Sequence, residues 1–177
     1  MGLNYENLDD RTRQLMIAEI DRDCDASTLY LSDNLTDRGK RDYPELIQEA
    51  ARSGSDDTLA AEIRSRLNSH EKPRRLRSGG FSKPPVMRSN AHQMLAEGEF
   101  NRFYIRALCV RASEDGLSEL TVFRAKEVEN ARSASQQMIG RRMPVEALLR
   151  DLRDRPGVDT ALGLPPGPNS GLSVRLP

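Results

Sequence analysis

The apolar residues of this chain recur mostly at spacings of three and four, which is the period of a helix with one buried face. Asp9 and Asp10 precede the first such pattern, and acidic residues at that place favour a helix over about 9–22. Two further patterns predict an antiparallel helix pair over about 44–53 and 56–68. Together these helices form a predicted unit that we call the head.

The segment between the first and second helices, residues 32–41, contains serine, asparagine, aspartate and glycine and therefore predicts a turn region. Pro44 then fits the first turn of the second helix, where its missing N–H leaves no hydrogen bond unmade.

The longest pattern predicts an amphipathic helix over about 91–114, with Asn90 able to cap its start and Gly116 its end. Gly98 marks either a kink in this helix or its true start. Residues 119–126 alternate in part and are rich in β-formers, so they predict a strand. Two shorter segments follow, a helix or turn over 133–139 and a helix over 144–152.

Two segments lack a helical pattern. Residues 71–91, which we call the arm, are basic and interrupted by proline and glycine; fully extended, they could reach about 70 Å. Residues 157–177, the tail, are rich in proline and glycine, which disfavours regular structure. We expect the tail to be held by the body of its own chain or by a neighbouring molecule.

The predicted fold is mainly α with a minor β element, an α+β arrangement of a small helical body with an extended arm and tail. Four segments result: the acidic head 1–70, the basic arm 71–91, a helix–strand–helix segment 92–156 and the tail 157–177. Hydrophobic residues make up 37% of the chain and charged residues 31%, which predicts a thin core and long solvated or partner-covered segments.

The formal net charge of zero conceals a segregation of charge. The head carries nine Lys/Arg and fifteen Asp/Glu, the arm six and one, and residues 92–177 twelve and eleven. An acidic head beside a basic arm predicts pairing between them, within one chain or between neighbours. A surface of mixed charge is the alternative.

The sequence contains no strong motif for a catalytic or metal site. Cys24 and Cys109 are lone thiols that suit a reducing compartment, and no Cys or His pair has the spacing of zinc ligands. The carboxylates of Asp21, Asp23 and Asp25 have the spacing that opens a calcium loop, but alanine and serine stand where that loop needs glycine and glutamate. We expect no enzymatic activity, no cofactor and no metal.

A cluster of charged residues lies along the longest predicted helix. At helical spacing these residues are typical of exposed ion pairs on a helix surface, and that is how we interpret them. They are Glu97, Glu99, Arg102 and Arg106.

The arm holds the candidate partner-binding residues, cations with one aromatic ring among them. They are Lys72, Arg74, Arg75, Arg77, Phe81, Lys83 and Arg88. Arginine and phenylalanine suit phosphate binding and base stacking, so nucleic acid is a candidate partner. Because the whole chain is not basic, with a sequence pI near 6.8, an acidic protein surface is the favoured partner.

The function predicted from these features is that of a non-catalytic structural subunit in a multi-protein assembly. A tailed-phage virion component, associated with capsid, connector or tail, is its concrete version, with arm and tail attaching to neighbours that include copies of the chain. The alternative is a small regulatory or nucleic-acid-binding adaptor of phage or bacterial origin. We expect no signal peptide and no membrane span, and a chain that is cytoplasmic during synthesis and then part of a virion.

Overall fold

The computed structural model of the chain describes residues 2–127, 133–157 and 171–177. Its helices are α1 (Asp10–Asp25), α2 (Asp37–Ser53), α3 (Asp56–Arg64), α4 (Ala91–Glu114), α5 (Ser133–Met138) and α6 (Val145–Asp154). Its strands are β1 (Glu119–Arg124), β2 (Arg142–Pro144) and β3 (Leu172–Arg175). The mainly α fold with a minor β element is confirmed.

The strands form an antiparallel sheet in the order β2-β1-β3. Leu120 of β1 lies opposite Met143 of β2, and Val122 lies opposite Val174 of β3. The predicted strand is therefore the centre of a sheet whose two outer strands the hydrophobic pattern did not reveal.

Side-chain caps explain where the helices of the head begin. Asp9 accepts a hydrogen bond from the N–H of Thr12 at the start of α1, and Ser55 and Thr58 form a capping box at the start of α3. Thr36 caps α2, so this helix begins about two turns before Pro44, and the predicted turn region is wrong from residue 37 onward.

Pro44 lies inside α2 rather than in its first turn. Its ring nitrogen cannot donate to the carbonyl of Lys40, which weakens the helix locally. The neighbouring side chains of Tyr43 and Ile47 are 1% and 0% exposed, so core packing holds the helix together across the proline. Tertiary packing thus overrides the local signal on which the prediction relied.

This position yields a testable prediction. Replacing Pro44 by alanine is expected to stabilise the protein by about 1–2 kcal/mol, because a backbone donor returns and outweighs the extra entropy of the unfolded chain. Urea unfolding of the two proteins measures the difference. An unchanged or lowered midpoint would mean that the proline ring itself contributes packing that alanine cannot replace.

Helix α4 has the predicted bounds and runs through Gly98 without a break, but it is not amphipathic. Every residue from Glu99 to Cys109 is buried, because α1, α3 and α6 and the sheet pack around it. Polar residues that the pattern placed on a solvent face are therefore inside the protein. One hydrophobic core runs from α1 through α4 to β3, so the head shares its core with the rest of the chain.

The end of the tail is an integral strand. Leu172, Ser173 and Val174 are at most 1% exposed, and the side chain of Asn101 on α4 donates to the carbonyl of Leu172 at 2.9 Å. The predicted absence of regular structure is wrong for β3. This end of the tail is held by the body of its own chain. Residues 158–170, the middle of the predicted tail, lie outside the described residues.

Candidate functional site

The arm folds back on itself instead of extending in one direction. Isolated antiparallel bridges join His70 to Val86 and Arg75 to Phe81. The N–H of Met87 donates to the carbonyl of Ser69 at 2.9 Å, which closes the base of this hairpin. The predicted single extended stretch is wrong, and the hairpin reaches at most half of the predicted length of about 70 Å.

Glycines form the tip of the hairpin. The N–H of Leu76 donates to the carbonyl of Gly80 at 3.1 Å, and the N–H of Gly79 donates back to Leu76 at 3.1 Å. Gly79 and Gly80 have φ angles of 87° and 79°, in the left-handed region that residues with a Cβ rarely adopt. These glycines permit the reversal of the chain rather than adding reach.

The arm exposes the candidate partner-binding residues, and none of residues 71–90 is buried. Lys72 pairs with Asp33 of the head at 2.7 Å, whereas Arg88 and Arg74 lie 3.1 and 3.6 Å from Glu71 within the arm itself. Intrachain partners thus partly neutralise three of the six cations.

The other cations of the arm lie close in sequence to its aromatic ring, Phe81. Among the residues that the structure describes, Arg75, Arg77 and Lys83 form no ion pair. Arg75 lies directly across the hairpin from Phe81, whose side chain is 71% exposed. Side chains at such a non-hydrogen-bonded pair lie close together on one face. The arm therefore brings a phenyl ring and free positive charge to the same surface.

The carboxylates of the head that form ion pairs do so with arginines of residues 92–177 or with cations of the head itself, and rarely with the arm. The pairs with residues 92–177 include, with their shortest distances, Glu6–Arg175 at 3.1 Å, Asp9–Arg111 at 2.7 Å, Asp23–Arg106 at 2.6 Å and Glu19–Arg106 at 2.7 Å. Within the described part of the chain, Asp33–Lys72 is the ion pair between head and arm. The predicted pairing of acidic head with basic arm inside one chain is thus limited to that contact.

Three of these charges, together with the half-buried Arg153, form a cluster that the sequence-based prediction missed. Arg106 is 0% exposed; its Nη1 and Nη2 donate to both carboxylate oxygens of Asp23 at 2.6 and 2.8 Å, and its Nε donates to Glu19 at 2.8 Å. Arg153 of α6 also donates to Glu19, through Nε at 3.0 Å. We call these four residues the charge cluster.

The interpretation of Arg106, Arg102 and Glu99 as exposed surface pairs is wrong, because all three are at most 6% exposed. A signal for the charge cluster was present on α1. Glu19 and Asp23 are spaced by four, as are the apolar Met16 and Ile20 beside them, so both carboxylates lie next to the buried face of that helix.

The electrostatics of the charge cluster favour the ionised forms of Glu19 and Arg106. Burial by itself would raise the pKa of Glu19, but the hydrogen bonds and charges of Arg153 and Arg106 outweigh it, and the pKa is lowered. Burial likewise opposes the charge of Arg106, yet hydrogen bonding to Asp23 raises its pKa. Glu99 differs, since burial raises its pKa against the opposing charge of Arg102.

This arrangement joins α1, α4 and α6 and leaves no surface for a substrate. With Glu19, Asp23 and Arg106 at most 6% exposed and each charge hydrogen-bonded, the charge cluster acts as a structural link. Burial raises the pKa of the Cys109 thiol to about 12, which makes this cysteine a poor nucleophile.

The described residues contain no group of three His, Cys, Asp or Glu side chains that could hold a metal ion. Across the same residues, no helix has the length and apolar character needed to cross a bilayer. Comparison with known proteins adds no assignment to this site: no protein-family model, curated protein or solved structure matches the chain.

Proposed function

We propose that this protein is a non-catalytic structural subunit of a multi-protein assembly and that it docks onto neighbouring subunits through the arm. One observation carries the proposal. The arm presents Arg75, Arg77 and Lys83 without an intrachain ion pair among the described residues, and the ion pair that the structure describes between the acidic head and the arm, Asp33–Lys72, leaves these three cations uncompensated. Charge left uncompensated on a protruding element favours a partner outside the chain.

The rest of the fold supports this role by providing a firm base for the arm. Asn68, just before the arm, donates from its backbone to Asn34 at 2.8 Å and from its side chain to Leu35 at 3.1 Å. Ala91, the last residue of the arm, is 7% exposed at the start of α4. Both ends of the hairpin are thus anchored in the core, so its orientation follows that of the body.

The specific assembly that we propose is the virion of a tailed phage, where small subunits with protruding elements attach to capsid, connector or tail. Purified particles would then contain this chain in a fixed copy number, measurable by quantitative mass spectrometry. Copies of the chain are among the proposed neighbours. Because β3 is part of the core, the docking role that the sequence suggested for the tail does not extend to residues 172–175.

Replacing the arm tests the proposal without disturbing the core. Ser69 and Met87 already face each other across the hairpin base, so the two-residue turn Asn-Gly can replace residues 70–86. In extracts of cells that naturally make the protein, we expect the wild type to sediment with a large assembly. The variant is expected to sediment at its monomer mass.

The control is urea unfolding, where the arm replacement should leave the cooperative transition near that of wild type because no arm residue from 71 to 90 is buried. A variant that still sediments with the assembly, or a wild type that sediments as a free monomer, would overturn the proposed function.

The second candidate function is that of a nucleic-acid-binding adaptor. The observation that favours it is the exposed ring of Phe81 with arginines nearby on the arm. The salt dependence of nucleic-acid binding distinguishes this function from that of a structural subunit. Each phosphate neutralised on a DNA duplex contributes about −0.9 to the slope of log K against log salt. Binding of a labelled duplex with that steep slope, lost when the arm is replaced, would favour the adaptor over the structural subunit.

A further inference from the structure

The proposed function leaves open how the arm recognises its neighbour. We infer, on the basis of that proposed function, that Phe81 is an anchor that enters an apolar pocket on a partner protein and that carboxylates at the rim of this pocket face Arg75, Arg77 and Lys83. Recognition is by side chains and not by addition of a strand to the hairpin.

Exposed apolar side chains on the arm point to a protein partner. Among the described residues, the large hydrophobic side chains that are exposed are Leu31, Leu76, Phe81, Val86 and Ile139. Three of them are on the arm, where Phe81 and Val86 are 71% and 73% exposed. Apolar side chains gain little binding energy from contact with a phosphate backbone. Aromatic and arginine side chains are both enriched at the centre of protein–protein interfaces.

The edges of the hairpin argue against strand addition. An added strand needs free backbone donors along one edge, and Pro73, Pro84 and Pro85 have none. The ladder keeps its register but its regular alternation of hydrogen bonds is interrupted between Glu71, which donates to Pro85, and Arg74, which accepts from Ser82. A partner strand would meet an edge interrupted on both sides, so side chains must carry the recognition.

The charges define the rim of the partner pocket. Arg75 lies beside Phe81 as its cross-strand neighbour, Arg77 lies in the turn at the tip, and Lys83 follows two residues after the ring. Acidic groups around the pocket would meet these cations as the ring enters. Charged groups at an interface rim contribute mainly to association rate and specificity, while the buried ring sets the dissociation rate.

A photo-cross-linking amino acid placed at position 81 identifies the surface that the ring meets. In the native cells, irradiation followed by mass spectrometry is expected to map one cross-link site on one protein, with both apolar residues and Asp or Glu at that site. Position 139 is the matched control, because Ile139 is 44% exposed but lies outside the arm. Cross-links to nucleic acid, or cross-links scattered over many proteins, would overturn the inference.

Binding to the protein identified in this way then separates the roles of ring and cations. Phe81→Ala is expected to weaken binding by about tenfold to a hundredfold through faster dissociation, whereas Ile139→Ala changes it less than twofold. Substituting glutamine at Arg75, Arg77 and Lys83 is expected to slow association and to flatten its salt dependence. Restoration of binding by Phe81→Trp would confirm that an aromatic anchor is needed.

The outcomes distinguish this inference from the proposed function. If replacing the arm releases the protein from its assembly but Phe81→Ala binds within twofold of wild type, the anchor is wrong and the docking role of the arm stands. If neither change releases the protein, the proposed function itself is wrong and the inference falls with it.

Discussion

Replacing Arg106 by methionine is expected to destabilise the protein by about 3–5 kcal/mol, because the carboxylates of Glu19 and Asp23 stay buried without their main partner. Methionine keeps most of the volume of the arginine stem, so the loss reports on charge and hydrogen bonding rather than on a large cavity. Arg153 remains beside Glu19, but Asp23 then lacks the guanidinium that now contacts both of its oxygens.

Urea unfolding followed by circular dichroism measures this effect. Arg11→Ala is the matched control, since Arg11 also joins α1 to α4, through Glu114 and Asp115, but on the surface. Its midpoint should stay close to that of wild type because exposed ion pairs contribute little. A loss of less than about 1 kcal/mol for Arg106→Met would show that the buried carboxylates become neutral or reach water at small cost.

The pH dependence of stability provides a second readout of the same variant. The folded pKa of Glu19 is lowered from the ordinary 4.5, so its contribution is present above that pH and is lost as pH falls through the folded value. Without Arg106 this pKa rises, and the acid-induced loss of stability that comes from Glu19 should shrink. An acid profile identical to that of wild type would show that Arg153 alone sets the pKa of Glu19.

Deleting residues 171–177 is expected to abolish cooperative folding. This removes β3, whose Leu172 and Val174 are 1% and 0% exposed, and truncating one such side chain already costs about 2–5 kcal/mol. It also removes the partners of the buried Asn101 side chain, namely the carbonyl of Leu172 and the hydroxyl of Ser173. A small domain has a free energy of unfolding of about 5–15 kcal/mol, so these losses together are large enough to unfold it.

Thermal unfolding and proton NMR dispersion measure the outcome of this deletion. Arg175→Ala is the control, because Arg175 is on the same strand but its ion pair with Glu6 is on the surface and contributes less than about 1 kcal/mol. A truncated protein that still unfolds cooperatively would show that the core closes without β3. Residues 171–177 would then again be a candidate segment for docking onto neighbouring subunits.

Helix positions were largely predictable from the sequence, whereas burial was not. The bounds of α4 agree with the predicted 91–114: Gly116, with a φ of 73°, follows its last turn as predicted, whereas Asn90 makes no side-chain capping hydrogen bond at its start. The prediction that α4 is amphipathic was wrong, because the polar residues Asn101, Arg102 and Arg106 are typical in sequence of a solvent-exposed helix face but are buried. Each has a hydrogen-bond partner that comes from a distant part of the chain.

The two outer strands and the hairpin were missed for a related reason. β3 has four residues and pairs with β1, from which it is separated by about fifty positions, so no short window contains both partners. For the arm, the Gly79-Gly80 pair was a turn signal that the sequence did offer. The pairing of the residues on either side of these glycines was not evident from the sequence, because the prolines in both halves of the arm disfavour a regular ladder.

The sequence by itself determined most of the helical segments, the acidic cap of α1 and the presence of a basic, proline-interrupted arm, because these depend on interactions within about four residues. Only the tertiary structure decided which charges meet. It placed the carboxylates Glu19 and Asp23 against Arg106 in the core and left Arg75, Arg77 and Lys83 of the arm without such partners among the described residues. Charge composition predicts how much charge each segment carries, but the pairing of charges depends on distances that folding alone sets.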